Sequence, residues 1–155
     1  MGPQAAVGRL ATIKWMATNE STNRAIRTAI AMATTQARVA AAALQMARAA
    51  VSPSGPFAAP LADAIGAVEE SVSILTQGHL GPDDLDRLAS AARRVEAALG
   101  SMQVLGCIPG PIGRAGRLLA LLRPPLRAWA RYIARDPSRP DAPSPLELAV
   151  GNSAA

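Results

Sequence analysis

His79 and Cys107, the only histidine and the only cysteine, are the side chains best suited to proton transfer or nucleophilic attack near neutral pH. A general base also needs a nucleophile to deprotonate or an acid to orient it. Asp83, Asp84 and Asp86 follow His79 closely, yet nothing else assembles with them into a catalytic set. These three aspartates resemble a metal-binding cluster, but they come directly after Gly81-Pro82. That is where the first turn of a helix favours acids through its dipole, so they read as helix-start residues. Cys107, between Gly106 and Ile108, reads as a small buried residue, with a reactive or lipid-modified thiol as the sharper alternative. The glycines of the 106–116 stretch do not follow a phosphate-loop pattern, and no Lys-Ser or Lys-Thr pair follows them. A Gly/Pro hinge is the reading there. The expectation is a non-catalytic protein with no metal and no cofactor.

The chemistry that does recur is arginine. Arg114, Arg117, Arg123, Arg127, Arg131 and Arg135 occur in a stretch, 101–135, that holds no acid. At 100° per residue they fall in one half of a helical wheel, opposite Leu118, Leu119, Leu122, Leu126, Trp129 and Ile133. Pro124-Pro125 divides this arm, because proline within a helix removes a hydrogen bond and clashes with the preceding turn. Two pieces are expected, of which Leu126–Arg135 has a two-faced pattern of its own. Arg117, Arg123, Arg127, Arg131 and Arg135 are the candidate anion or partner contacts, and Leu126, Trp129 and Ile133 the candidate apolar anchors. Such a face suits a groove on a partner protein, an anionic membrane surface or nucleic-acid phosphates. The last is the weakest fit, because no aromatic residues interleave with the arginines as a stacking platform. The competing structural reading packs the apolar side on the chain's own core and leaves the arginines as a solvated face.

Charge is segregated along the whole chain. Residues 1–62 carry six bases against Glu20 alone, and residues 63–100 carry seven acids against Arg87, Arg93 and Arg94. Residues 101–135 are purely basic, and residues 136–155 are weakly acidic. Fifteen of the sixteen basic residues are arginine, Lys14 being the exception. Arginine presents a planar fork to carboxylates and phosphates that lysine does not. Half the residues are hydrophobic, but many of these are alanine and only Trp15, Phe57, Trp129 and Tyr132 are aromatic. Alanine buries little area, so the core is thin for the length, and a partner that completes it is a natural expectation.

Helices must position these side chains. Ile26, Ile30, Ala33, Ala37, Ala40, Leu44, Ala47 and Val51 recur at three- and four-residue steps after Ser21-Thr22-Asn23, which supplies N-cap candidates. The spacing predicts a helix over Asn23–Ala50. Ser52-Pro53-Ser54-Gly55-Pro56 breaks it. The stripe Phe57, Leu61, Ile65, Val68, Val72, Leu75 predicts a second helix over Pro56–Gln77, with Gly78 at a left-handed stop. A third starts at Pro82, which suits the first helical position, and runs to Gly100 through Leu85, Leu88, Ala92, Val95 and Leu99. Short connections predict antiparallel packing.

The expected architecture is therefore all-α: an alanine-rich antiparallel bundle of three main helices in residues 21–105, after an irregular segment 1–20. A Gly/Pro hinge and kinked basic arm follow in 106–136, then a Pro-rich disordered tail in 137–155, within which Leu146–Val150 could make one docked turn. The function expected of it is docking by amphipathic helices onto a protein partner or a second copy. An anionic membrane surface is the alternative, and nucleic acid the second alternative. No secretory signal or transmembrane helix is apparent: the most apolar stretch, Met102–Leu122, contains Pro109, Pro111, Arg114 and Arg117. An intracellular location, cytoplasmic or membrane-peripheral, is the expectation. The arginine- and alanine-rich N-terminus also leaves organellar import open.

Overall fold

The computed structural model describes residues 3–135, 139 and 141–154, with side chains described for residues 20, 21, 23–135, 139 and 141–150. The chain is 81% helical, and no strand occurs among the described residues. The helices are α1 (Pro3–Ala50), α2 (Ala58–Leu75), α3 (Pro82–Gly106), α4 (Pro111–Leu119), α5 (Arg123–Ile133) and α6 (Pro145–Ala154). A 3-10 turn, Ala120–Leu122, joins α4 to α5.

α1 is longer than its inner stripe alone predicts. The expected irregular segment is helical from Pro3 onward. Proline at a helix start costs no hydrogen bond, and a single interior glycine, Gly8, costs only about 1 kcal/mol against alanine. α3 likewise passes through Gly100 and ends at Gly106. Gly78 has φ +87°, the left-handed stop expected of it. In the tail, residues 136–138 and 140 lie outside the described residues. Beyond them the expected disorder is replaced by α6.

The signal for α6 is Ser144-Pro145-Leu146-Glu147, the Ser-x-x-Glu of a helix start with proline at the first position. Buried Ser144 accepts the Glu147 backbone N–H through Oγ at 3.1 Å and donates to the Ile133 carbonyl at 3.4 Å. Leu146 and Val150 are buried, and Glu147 pairs with Arg135 at 3.2 Å. A cap, two apolar side chains and an ion pair thus hold ten residues that composition alone assigns to a tail.

α2 packs on both α1 and α3, while α5 and α6 pack on α1. The buried face of α1 is Ala29, Ile30, Ala33, Ala37, Ala40 and Leu44. Its alanines, which carry only a methyl group, let the neighbouring helices approach closely. α2 contributes Leu61, Ile65, Val68, Ile74 and Leu75, and α3 contributes Leu88, Val95 and Met102. Ser71 is buried in this layer and donates to the Ala67 carbonyl at 3.0 Å, so its hydroxyl carries no unmet demand.

Candidate functional site

The arm is built on glycine contacts. Along α4 the buried positions are Gly113, Gly116 and Leu119, and Leu122 and Leu126 continue the row. Gly116 lies against Gly106 at the end of α3: a Cβ on Gly116 would stand 2.5 Å from the Gly106 Cα. A Cβ on Gly113 would collide with the Ile108 carbonyl oxygen. The 106–116 stretch is therefore a tight corner between two helices, in which Gly113 and Gly116 are packing surfaces that leave no room for a side chain, while Gly110 serves the turn through its φ of +92°. The hinge reading is corrected to that extent.

This row decides which leucines face outward. The wheel puts Leu118 and Leu122 in one apolar half. With Gly113 and Gly116 fixing the inner face, Leu119 and Leu122 are buried while Leu118 and Leu121 are 69% and 74% exposed. Both stand beside Arg114 and Arg117, which are also exposed.

Leu126, Trp129 and Ile133 are buried in the core. As anchors they hold the arm to its own bundle and are not available to a partner, which corrects their expected role. The cause is the inward row 119, 122, 126, 129, 133, which puts the large side chains of α5 against α1, α3 and α6. Among the described residues the buried indole N–H of Trp129 has no acceptor, and the ring's large apolar area is what it contributes to the core.

The arginines divide. Arg117, Arg127 and Arg131 are exposed; Arg123 is half-buried and donates to the Gln103 side chain. Arg135 pairs with Glu147. Within the acidic middle block, Asp63, Glu70 and Asp84 pair with the block's own arginines. Arg94 reaches Asp63 at 2.9 Å and Glu70 at 3.4 Å, and Arg87 reaches Glu70 at 3.4 Å. Near the arm, a cleft of about 240 Å³ runs between the end of α3 and α4, lined by Leu99, Met102, Cys107, Arg117 and Arg123 among others. Cys107 is exposed rather than buried, because α3 ends at Gly106 and the thiol belongs to the turn, where it donates to the Gln103 carbonyl at 3.5 Å.

His79 is exposed in the turn before α3. Asp83 and Asp84 occupy the first turn of that helix, and Asp84 accepts the Gly81 N–H at 3.0 Å, the helix-start role expected of it. Among the described residues no group of three or more His, Cys, Asp or Glu side chains could hold a metal ion. No described helix is long and apolar enough to cross a membrane.

Sequence reasoning missed two surfaces. One is Leu118 and Leu121, set by the glycine row. The other is the outward side of α1, where Met32, Val39 and Met46 are exposed at seven-residue intervals. The spacing is visible in the sequence but is overshadowed by the inner stripe on the same helix. Comparison with protein-family models, with curated proteins and with solved structures gave no match.

Proposed function

We propose that the chain is a non-catalytic helical interaction protein. In this reading α1, α2 and α3 form an antiparallel bundle that carries a kinked basic arm, α4–α5, and the solvent side of the arm docks onto a protein, a second copy of the chain being the favoured partner. The antiparallel arrangement is supported by the ion pairs between α2 and α3: Arg94 meets Asp63 while Arg87 meets Glu70, so one helix number rises as the other falls.

The observation that carries the docking reading is Leu118 and Leu121, 69% and 74% exposed beside Arg114 and Arg117. A helix whose solvent side held only arginines would be explained by hydration. Two large apolar side chains set among them are the pattern of a contact surface. Segregated charge argues for self-docking, because an acid-free arm faces no shortage of acids in residues 63–100 of another copy. A two-fold arrangement would use that match twice.

Light scattering across protein concentration tests this. The expected result is a dimer at tens of micromolar protein, roughly the range of weak interfaces, that dissociates as salt rises. The Leu118→Ser/Leu121→Ser variant should remain monomeric with unchanged helicity. The same two leucines favour one second reading, an anionic membrane surface with arginines at the headgroups. That reading expects the wild-type chain to sediment with vesicles containing phosphatidylglycerol, not with neutral ones, and the double serine variant to stay in solution. A wild-type chain that neither dimerises nor sediments removes both self-docking and the membrane reading.

A further inference from the structure

We propose that the outward face of α1 is a docking site for an amphipathic helix of another protein, one whose apolar seam is flanked by acidic side chains. The proposal rests on the chain being an interaction protein, but it uses a different helix from the arm.

A surface helix ordinarily buries one apolar stripe and turns a polar face to water. α1 does the first with Ala29, Ile30, Ala33, Ala37, Ala40 and Leu44. Its other side is not uniformly polar. Met32, Val39 and Met46 are 49%, 51% and 75% exposed. Ala25, Thr28, Thr35, Ala42 and Ala49, all exposed, fill the steps between and beyond them. From Ala25 to Ala49 the row advances by alternating steps of three and four residues. That is the seam by which two helices pack knobs into holes. It runs for about 36 Å along the axis at 1.5 Å per residue. The small residues allow a partner helix to approach closely, and the methionines adapt to its contours.

Charge selects the occupant. Arg24 and Arg38, both exposed, border the seam, with exposed Arg27 beyond them. Residues 21–62 contain no acid; the acids nearest this border are Glu20, one turn before Arg24, and Glu69 of α2, which accepts from Gln45 at 3.3 Å. Two copies of this face laid together would set arginine against arginine or against the uncharged Gln36 and Ala43 of the other border. An acid-flanked helix sets opposite charge against these arginines in either direction. Each exposed pair contributes little, but opposite against like charge at these flanking positions is what decides coiled-coil partner choice.

The test uses the full chain and two labelled synthetic helices with the same leucine seam, one flanked by glutamate and the other by lysine, read by fluorescence anisotropy at low salt. The glutamate helix should bind at least about tenfold more tightly than the lysine helix, a difference of about 1.4 kcal/mol. The Arg24→Glu/Arg38→Glu variant should reverse that preference. Val39→Glu, at an exposed position, should abolish binding of the glutamate helix with helicity unchanged, while Leu118→Ser/Leu121→Ser should leave it intact. That last variant separates failure of this proposal from failure of the arm reading. The proposal is overturned if the glutamate helix does not bind, if both helices bind equally, or if the charge swap leaves the preference unmoved. It is also overturned if Val39→Glu converts a wild-type dimer to a monomer, which would give the face to a second copy. Loss of binding to anionic vesicles in Val39→Glu, with peptide binding absent, would give the face to a bilayer.

Discussion

Two glycines with opposite surroundings make the packing argument testable at the scale of single residues. Gly116 faces the Gly106 backbone, with a Cβ position 2.5 Å from its Cα and 2.8 Å from its nitrogen. Backbone cannot rotate aside as a side chain does, so Gly116→Ala must separate α3 from α4. A loss of about 1–3 kcal/mol is expected, the range for overpacking. Gly100 lies inside α3, and nothing stands within 4 Å of the place an added methyl group would occupy. Gly100→Ala should raise stability by about 0.5–1 kcal/mol, because alanine loses less backbone entropy on entering a helix. Urea titration of the two variants checks both signs. Equal effects would mean that the corner is not closely packed.

At the scale of elements, the C-terminal helix raises a question of what holds so short a segment. An isolated helix of ten residues is marginal in water, so α6 must depend on its contacts. Ser144 joins its start to the end of α5, and Leu146 and Val150 enter the core. Ser144→Ala removes the acceptor for the Glu147 N–H and the donor to Ile133, and should cost about 1 kcal/mol, typical of an N-cap. Arg135→Gln breaks an ion pair whose arginine is well exposed and should cost less than Ser144→Ala. Thermal unfolding ranks the two. If the arginine change is the larger, the ion pair rather than the cap holds α6. α4 follows the same logic, since its orientation comes from Gly113 and Gly116 and its leucines take the sides that remain.

For the whole molecule, the decisive question is whether the arm belongs to the fold. Leu119, Leu122, Leu126, Trp129 and Ile133 are all buried, and α5 touches α1, α3 and α6. Residues 1–110 alone would expose the complementary surfaces of α1 and α3 while losing a buried tryptophan and several leucines. Removal of one large buried side chain already costs about 2–5 kcal/mol, comparable to the total stability of a small domain. The truncated chain is therefore expected to lose cooperative unfolding and fixed side-chain packing, read by near-ultraviolet circular dichroism and a thermal melt. A truncated chain that melts cooperatively near the full-length temperature would show the arm to be an appendage. The large apolar side chains that the completed fold leaves outside include Leu118 and Leu121 on the arm and Met32, Val39 and Met46 on α1, and these are the proposed docking surfaces.

Much of this molecule was legible in its residues. Three- and four-residue spacing marks the buried faces of α1, α2 and α3, and Pro82, Gly78 and Pro124-Pro125 mark where helices start, stop or restart. These signals are local, because a helix face and its ends are set within a few residues. The fate of the arm's apolar side was not legible. Leu126, Trp129 and Ile133 have the same wheel pattern whether they meet a partner or their own core, and only the position of α5 against α1 and α3 assigns them to the core. Which leucines remain outside depended on the Gly106–Gly116 contact, made between two helices across a turn. Amphipathicity tells that a face must be covered, and the covering surface is a property of the assembled chain. For that reason the exposed candidates Arg117, Arg127 and Arg131 stand where the sequence places them, on the solvent side of the arm, while the tertiary structure buries Leu126, Trp129 and Ile133 and leaves Leu118, Leu121, Met32, Val39 and Met46 exposed.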